Sequence, residues 1–438
     1  MKDTDSADGN DAREANGKPI QSTPTLWRRA LNLPRNVIAL SFVSLLNDAS
    51  SEIIYPFLPL FLSMALGASP RVIGAIEGAA ESVSSLLKLF AGYFSDWRGR
   101  RKGFVVFGYA LAGLARPLLA FAGTWPQALA VRLADRVGKG VRSAPRDAMI
   151  ADAAAPEERG LAFGMHRAMD HAGAVVGPLI GYFVLTLIAE NRNAPTAADY
   201  RTLFLLASVP ALLAVLVAAF VVREEPRAER VALTPATLPR FSLRGFDSNF
   251  KRFLLIVALF TLSNSSDAFL LLRAREAGVS TATIPLLWAA LHVSKVVSSL
   301  VGGDLSDRFG RKGLIASGWL LYAAVYAGFA FVSSVGVAWV LFLVYGIYFG
   351  LAEGAEKALV ADLVSPAQRG AAYGLYNLAF GVMVLPASLL MGALWSWRGA
   401  GFAFLVSACV GVAATLLLFT VDARRWNGRS QSVRESVV

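Results

Sequence analysis

The chain has 438 residues, of which 55% are hydrophobic and 17% charged, with a mean hydropathy of +0.52. Soluble domains carry roughly 25% charged residues, so the composition excludes a soluble enzyme or nucleic-acid binder and leaves a membrane protein. The net charge of +11 is read as a report on topology and on contact with anionic headgroups. Cys409 is the single cysteine, and there are three histidines. They give no metal-ligand spacing and no disulfide, and no redox chemistry or metal is expected. A phosphate loop is absent, so neither a cofactor nor ATP-driven transport is expected.

In chain order, residues 1–35 are polar and read as a disordered N-terminal segment. They lack the charged start and apolar core of a cleaved signal. Twelve apolar runs follow, at about 37–66, 71–95, 103–123, 126–151, 160–189, 201–222, 252–274, 281–305, 312–333, 336–362, 370–396 and 399–421. Each has about the length needed to cross a bilayer. A charged, Pro-containing bridge at 223–251 separates two six-span bundles, 36–222 and 252–421, and a basic tail occupies 422–438. With both termini cytoplasmic, the inner segments carry 26 Lys/Arg and the outer loops six (Arg71, Arg192, Arg201, Arg273, Arg275, Arg398). That asymmetry predicts cytoplasmic termini in a bacterial-type inner membrane.

Two motif pairs repeat. GYFSDWRGRRK at 92–102 matches GDLSDRFGRK at 303–312, and IADAAAPEERGLAFG at 150–164 matches VADLVSPAQRGAAYG at 360–374. Their offsets, 211 and 210, mark the halves as structural copies. The first pair, between the second and third span of each half, resembles the signature loop of the major facilitator superfamily. The second copy matches it fully; the first carries Trp97 where the family usually has Arg. The GAVVGPLIG run, with Gly173, Gly177, Pro178 and Gly181, is similar to the fifth-span motif of the drug:proton antiporter branch, with Tyr182 in place of its last glycine. The resemblance covers residues 37–421. It implies an all-α membrane protein of twelve transmembrane helices in two pseudo-symmetric six-helix halves, which rock about a central site. In the loops, Gly92, Asp96, Gly99 and Arg100, and Gly303, Asp307, Arg308, Gly310 and Arg311, are expected to form a conformational latch. Arg146 and Glu356, at corresponding positions with opposite charge, suggest a latch across the halves, the alternative being pairing within each half.

Ten basic and ten acidic residues fall within spans. Each costs at least about 2.5–3.5 kcal/mol at mid-bilayer unless paired or wet, so they belong in the interior. The fourth span reads VRLADRVGKGVRSAPRDAMIAD, and Arg132, Arg136, Lys139 and Arg146 share a face. They form either an anion-attracting wall, since guanidinium groups suit carboxylate and phosphate, or counter-charges for acids on spans one and two. Arg132, Arg136 and Lys139, with Asn47, Asn264 and Glu353, are the substrate-binding candidates. Asp48, Glu52, Glu81, Asp267 and His171 are the proton-coupling candidates, because a carboxylate moved between water and an apolar pocket exchanges a proton; fixed salt bridges are the alternative.

The sequence thus reads as a secondary transporter, not an enzyme, exporting a small anionic organic molecule by proton-coupled antiport. Import of an anionic nutrient or metal chelate, export of cationic lipophilic drugs, and a transporter-like sensor remain alternatives. The expected partners are a small-molecule substrate, protons and membrane lipids, with no nucleic acid and a monomeric carrier.

Overall fold

A computed structural model describes residues 32–98, 100–155, 158–224, 243–365 and 368–422; within them, the side chains of 93, 96, 97, 159, 160, 300–309, 369 and 370 are left aside. Its helices form the twelve expected spans. We label them α1 (Arg35–Ala65), α2 (Pro70–Arg98), α3 (Lys102–Phe121), α4 (Trp125–Ala153), α5 (Arg159–Ile188), α6 (Ala197–Phe220), α7 (Ser248–Glu276), α8 (Ile284–Phe309), α9 (Arg311–Phe331), α10 (Val335–Asp362), α11 (Arg369–Arg398) and α12 (Ala400–Leu418). Among the described residues, nine are long and apolar enough to cross a membrane by length and composition. The exceptions are α2, α4 and α8. The first two carry charges along their length, among them buried Glu77 on α2 and Arg132, Asp135, Arg136 and Arg142 on α4, and in α8 the apolar stretch is limited to Ile284–Ser299.

Helix ends follow local chemistry. Thr124 and Gln127 form a capping box at the start of α4, and Ser334 accepts the Val337 N–H at the start of α10, the same device 210 residues on. Two spans are broken mid-way. In α1 the helix Arg35–Ile54 gives way, before Pro56 and Pro59, to a short turn and a π-helical stretch, Phe61–Ala65. In α7 residues 264–266 leave the helix between Ser263 and Ala268. Proline explains the first break by removing a backbone donor. Between α8 and α9, Gly310 holds a φ of +78°, a region open to glycine at little cost; this accounts for the motif glycine there.

The first and last described residues and the described ends of the bridge lie on one face, called here the terminus face. Asn36 exchanges hydrogen bonds with the Arg223 backbone, and Lys312 Nζ donates to the carbonyls of Phe419 and Val421. At the opposite face α2 and α11 press together. A Cβ at Gly74 would lie 2.3 Å from the Ser388 carbonyl oxygen, and one at Gly392 2.5 Å from that of Pro70. Ser82 Oγ donates to the Gly381 carbonyl farther in. Beyond that contact the helices part around a cavity. The molecule is therefore closed at the opposite face.

Within the first half, α5 crosses α1 through glycine. A Cβ at Gly177 would stand 2.6 Å from the Ala49 oxygen and 2.7 Å from the Glu52 Cβ, a backbone approach that small residues permit in membranes. Gly177→Ala should cost roughly 1–3 kcal/mol by overpacking and lower the apparent Tm in detergent. Gly164→Ala, where an added Cβ meets nothing within 4 Å, should leave it unchanged or slightly raised.

Candidate functional site

The charges of the first half form a connected stack. Arg132 on α4 donates from Nε and Nη2 to the two Glu77 carboxylate oxygens on α2, at 3.0 and 2.8 Å. Arg116 on α3 donates from Nε to Asp135 Oδ1 at 3.0 Å, and from Nη1 and Nη2 to the Asn47 carbonyl and Oδ1, both at 3.0 Å. Asp135 lies 3.6 Å from Arg132 Nη1 and joins the pairs. All five residues are buried. Two guanidiniums meet two carboxylates, so the group is neutral, and its geometry is bidentate. This is the arrangement that offsets the desolvation of buried ions.

The stack decides which of the candidate ligands stay available. Arg132 and Asn47 are engaged in it in this conformation and serve helix packing. Arg136 is buried, its Nε has no hydrogen-bond partner among the described residues, and Glu81 approaches only to 3.9 Å. Lys139 is half-buried on the same helix face.

At the junction of the halves, Trp288 Nε1 on α8 donates to Glu52 Oε2 at 2.7 Å, and the Trp288 ring lies 5.1 Å from that of Tyr55. Asp267, at the break in α7, accepts from Tyr345 Oη at 2.9 Å and faces Lys295 Nζ at 3.6 Å. Lys295 also sits 3.8 Å above the Phe349 ring. Asn264 Nδ2 donates to Tyr348 Oη at 3.4 Å. Toward the terminus face the cavity, about 490 Å³, is lined by Glu81, Lys88, Asp147, Tyr373, Asn377 and Phe380, among others.

Other candidates lie apart. Asp48 accepts from Asn47 Nδ2 at 2.9 Å. Glu353 accepts from Lys357 Nζ at 2.8 Å, one helical turn away. His171 is half-buried on α5. Gly173 and Gly181, like Gly177, lie where a Cβ would touch α1, at Leu45 and Phe57, and Pro178 lies between them inside the helix.

In this conformation, closed at the opposite face, Arg146 and Glu356 do not form the expected cross-half latch. Arg146 spends Nε and Nη2 on the neighbouring Asp147 and Nη1 on Ser44 Oγ. Glu356 accepts from Trp319 Nε1 at 2.7 Å and from Tyr376 Oη at 2.5 Å, both of its own half. The two residues are not brought together; each is satisfied locally. Gly92 faces α4 at Ala144 and Arg100 is exposed. Gly99 and the side chains of Asp96, Gly303, Asp307 and Arg308 lie outside the described residues.

A different contact links the two repeated motifs. Arg101 pairs with Asp152, and Arg311 pairs with Asp362 at 2.6 Å. Each pair joins the loop motif to the first acid of the second motif in its own half. The sequence reading missed it, although both partners recur at one offset. It also missed the role of Trp288 and Lys295, whose signal was only their helical spacing on α8.

Twelve helices in two copies, a compensated polar interior and a cavity between the halves define a membrane carrier. The model of the Major Facilitator Superfamily matches residues 40–384 and 253–436. The chain is 34% identical over 395 residues to an uncharacterised MFS-type transporter of Methanocaldococcus jannaschii, covering 89% of this chain and 95% of that one. It is 29% identical to an uncharacterised protein of Mycobacterium tuberculosis over 94% and 98% of the two chains. A solved structure of a bacterial homologue of the human lysosomal transporter Spinster, inward-facing and occupied, shares the fold with a TM-score of 0.74 at 17% identity, covering 92% of this chain and 100% of that one. The protein belongs to the Major Facilitator Superfamily and is a secondary transporter.

Removing one partner from the stack leaves a buried, unpaired charge. Arg116→Ala should therefore cost about 3–5 kcal/mol, read as loss of folded protein or a large fall in Tm. Arg116→Lys should recover only part of it, because an ammonium cannot span Asp135 and Asn47 together.

Proposed function

We propose that the protein is a proton-coupled exporter of a small organic anion, with its termini in the cytoplasm. The observation that carries this reading is which charges the buried stack leaves over. Arg136 meets Glu81, a residue of the cavity wall, only at 3.9 Å and without a hydrogen bond from its Nε, and Lys139 stands half-buried on the same helix face. Glu52 bonds across the halves to a neutral indole. Cations held in a confined space concentrate anions, and guanidinium donors match carboxylate or phosphate oxygens. A carboxylate bridging two moving halves exchanges its proton when the bridge opens to water.

Orientation rests on the loop charges, 26 Lys/Arg on the terminus face against six opposite. The direction of transport rests on the fifth-span glycines, which set α5 directly against the backbone around Glu52.

One observation favours a second reading. Tyr55, Trp288 and Phe349 line the junction beside Glu52 and Asp267, a wall that suits a lipophilic cation.

Two measurements test the proposal. A ligand that binds the folded carrier raises its Tm by mass action. Among organic anions, phosphates and cationic drugs, anions should stabilise the wild type. Arg136→Ala should fold and lose at least tenfold in affinity; undiminished anion binding removes α4 from the site, and stabilisation by cations alone selects the second reading. In proteoliposomes, Glu52→Gln should abolish gradient-driven uphill transport and retain substrate exchange. Unchanged uphill transport would remove Glu52 as the proton carrier.

A further inference from the structure

A second, larger hollow lies away from the cavity between the halves. It opens at the terminus face between the ends of α2, α3, α4 and α6 and has a volume of about 1080 Å³. Arg98, Arg100 and Lys102 lie along its rim, and Phe104, Phe107 and Ala219 are in its wall. Phe107 is 56% exposed, on the outside of a membrane-spanning helix, where its neighbour is lipid. A side chain at Gly103 would meet nothing within 4 Å.

The acid in the groove offsets only part of the rim, one carboxylate against three cations. Glu224 is spent on the backbone: its Oε1 accepts from Arg101 N–H at 2.8 Å and its Oε2 from Lys102 N–H at 2.7 Å. Among the described residues, Arg98, Arg100 and Lys102 have no ion-pair partner. Three unpaired cations thus stand at headgroup height above an apolar wall at acyl-chain height. A soluble anion would use only the cations, and a zwitterionic lipid would bring a positive group against them.

We propose that this groove is a binding site for an anionic glycerophospholipid, its phosphodiester on Arg98, Arg100 and Lys102 and an acyl chain along Phe104 and Phe107. Basic residues beside a membrane surface attract anionic lipid by about 1 kcal/mol each, so a net excess of two gives a preference on the order of 30-fold over a zwitterionic lipid at low salt. The bound lipid braces the joint where Glu224 of the bridge caps α3.

Native mass spectrometry of the full chain, released from micelles holding equal dioleoylphosphatidylglycerol and dioleoylphosphatidylcholine, reads this directly. The wild type should retain phosphatidylglycerol selectively, and Arg98→Gln/Arg100→Gln/Lys102→Gln should lose that selectivity. Gly103→Leu keeps every charge and fills the hollow; it should also lose the lipid, and it carries the test if the triple variant does not fold. Millimolar inorganic phosphate should not displace the lipid. Equal retention of both lipids by the wild type, undiminished selectivity in Gly103→Leu, or displacement by phosphate alone would each overturn the proposal.

Discussion

The structure depends on one electrostatic requirement: a charge inside the bilayer must be met by an opposite charge or by water. Four ions of the first half, Glu77, Arg116, Arg132 and Asp135, meet it among themselves. Because they sit on α2, α3 and α4, those helices must turn these faces inward, and α1 is tied to them through Asn47. The neutral stack then serves as a rigid floor. It leaves Arg136, Lys139, Glu81 and Glu52 outside its hydrogen bonds.

The halves solve the same packing problem with different chemistry. An offset of 210 places Tyr326 where the first half has Arg116, and Tyr345 where it has Asp135. The ion pair of one half is thus a pair of tyrosine rings, 6.1 Å apart, in the other. Arg132 likewise corresponds to Phe342, which packs edge-on against Phe329 at 5.5 Å. A charged half therefore faces an aromatic one, and Trp288 and Glu52 bond where they meet. A substrate held there would touch guanidinium and ammonium groups on one side and rings on the other.

Much of this was legible in the sequence because it is periodic or repeated. The twelve spans follow from apolar runs, the two halves from paired motifs, and the cation face of α4 from its spacing. What resisted was pairing across helices. The spacing of Arg132 and Arg136 is the same, yet one is consumed by Glu77 and the other is not; the difference lies in the rotation of α2 against α4. Arg146 and Glu356 are complementary in register, but in this conformation neighbours within each half, Asp147 and Tyr376, hold them. The fifth-span glycines read as a functional motif, and the structure gives them a physical office: they let α5 touch the α1 backbone beside Glu52.

The proposed proton coupling requires that the Glu52 carboxylate, bonded to Trp288 across the halves, help hold the opposite face closed and release it on protonation. It can be measured without knowing the substrate. In a Cys409→Ser background, spin labels at Ser69 and Ser396 flank the α2–α11 contact, and pulsed dipolar spectroscopy reads their separation at pH 8 and pH 5.5. The account predicts that acid lengthens the distance in the wild type, and that Glu52→Gln shows the longer distance at both pH values. A distribution indifferent to pH, or an acid response that persists in Glu52→Gln, would contradict it.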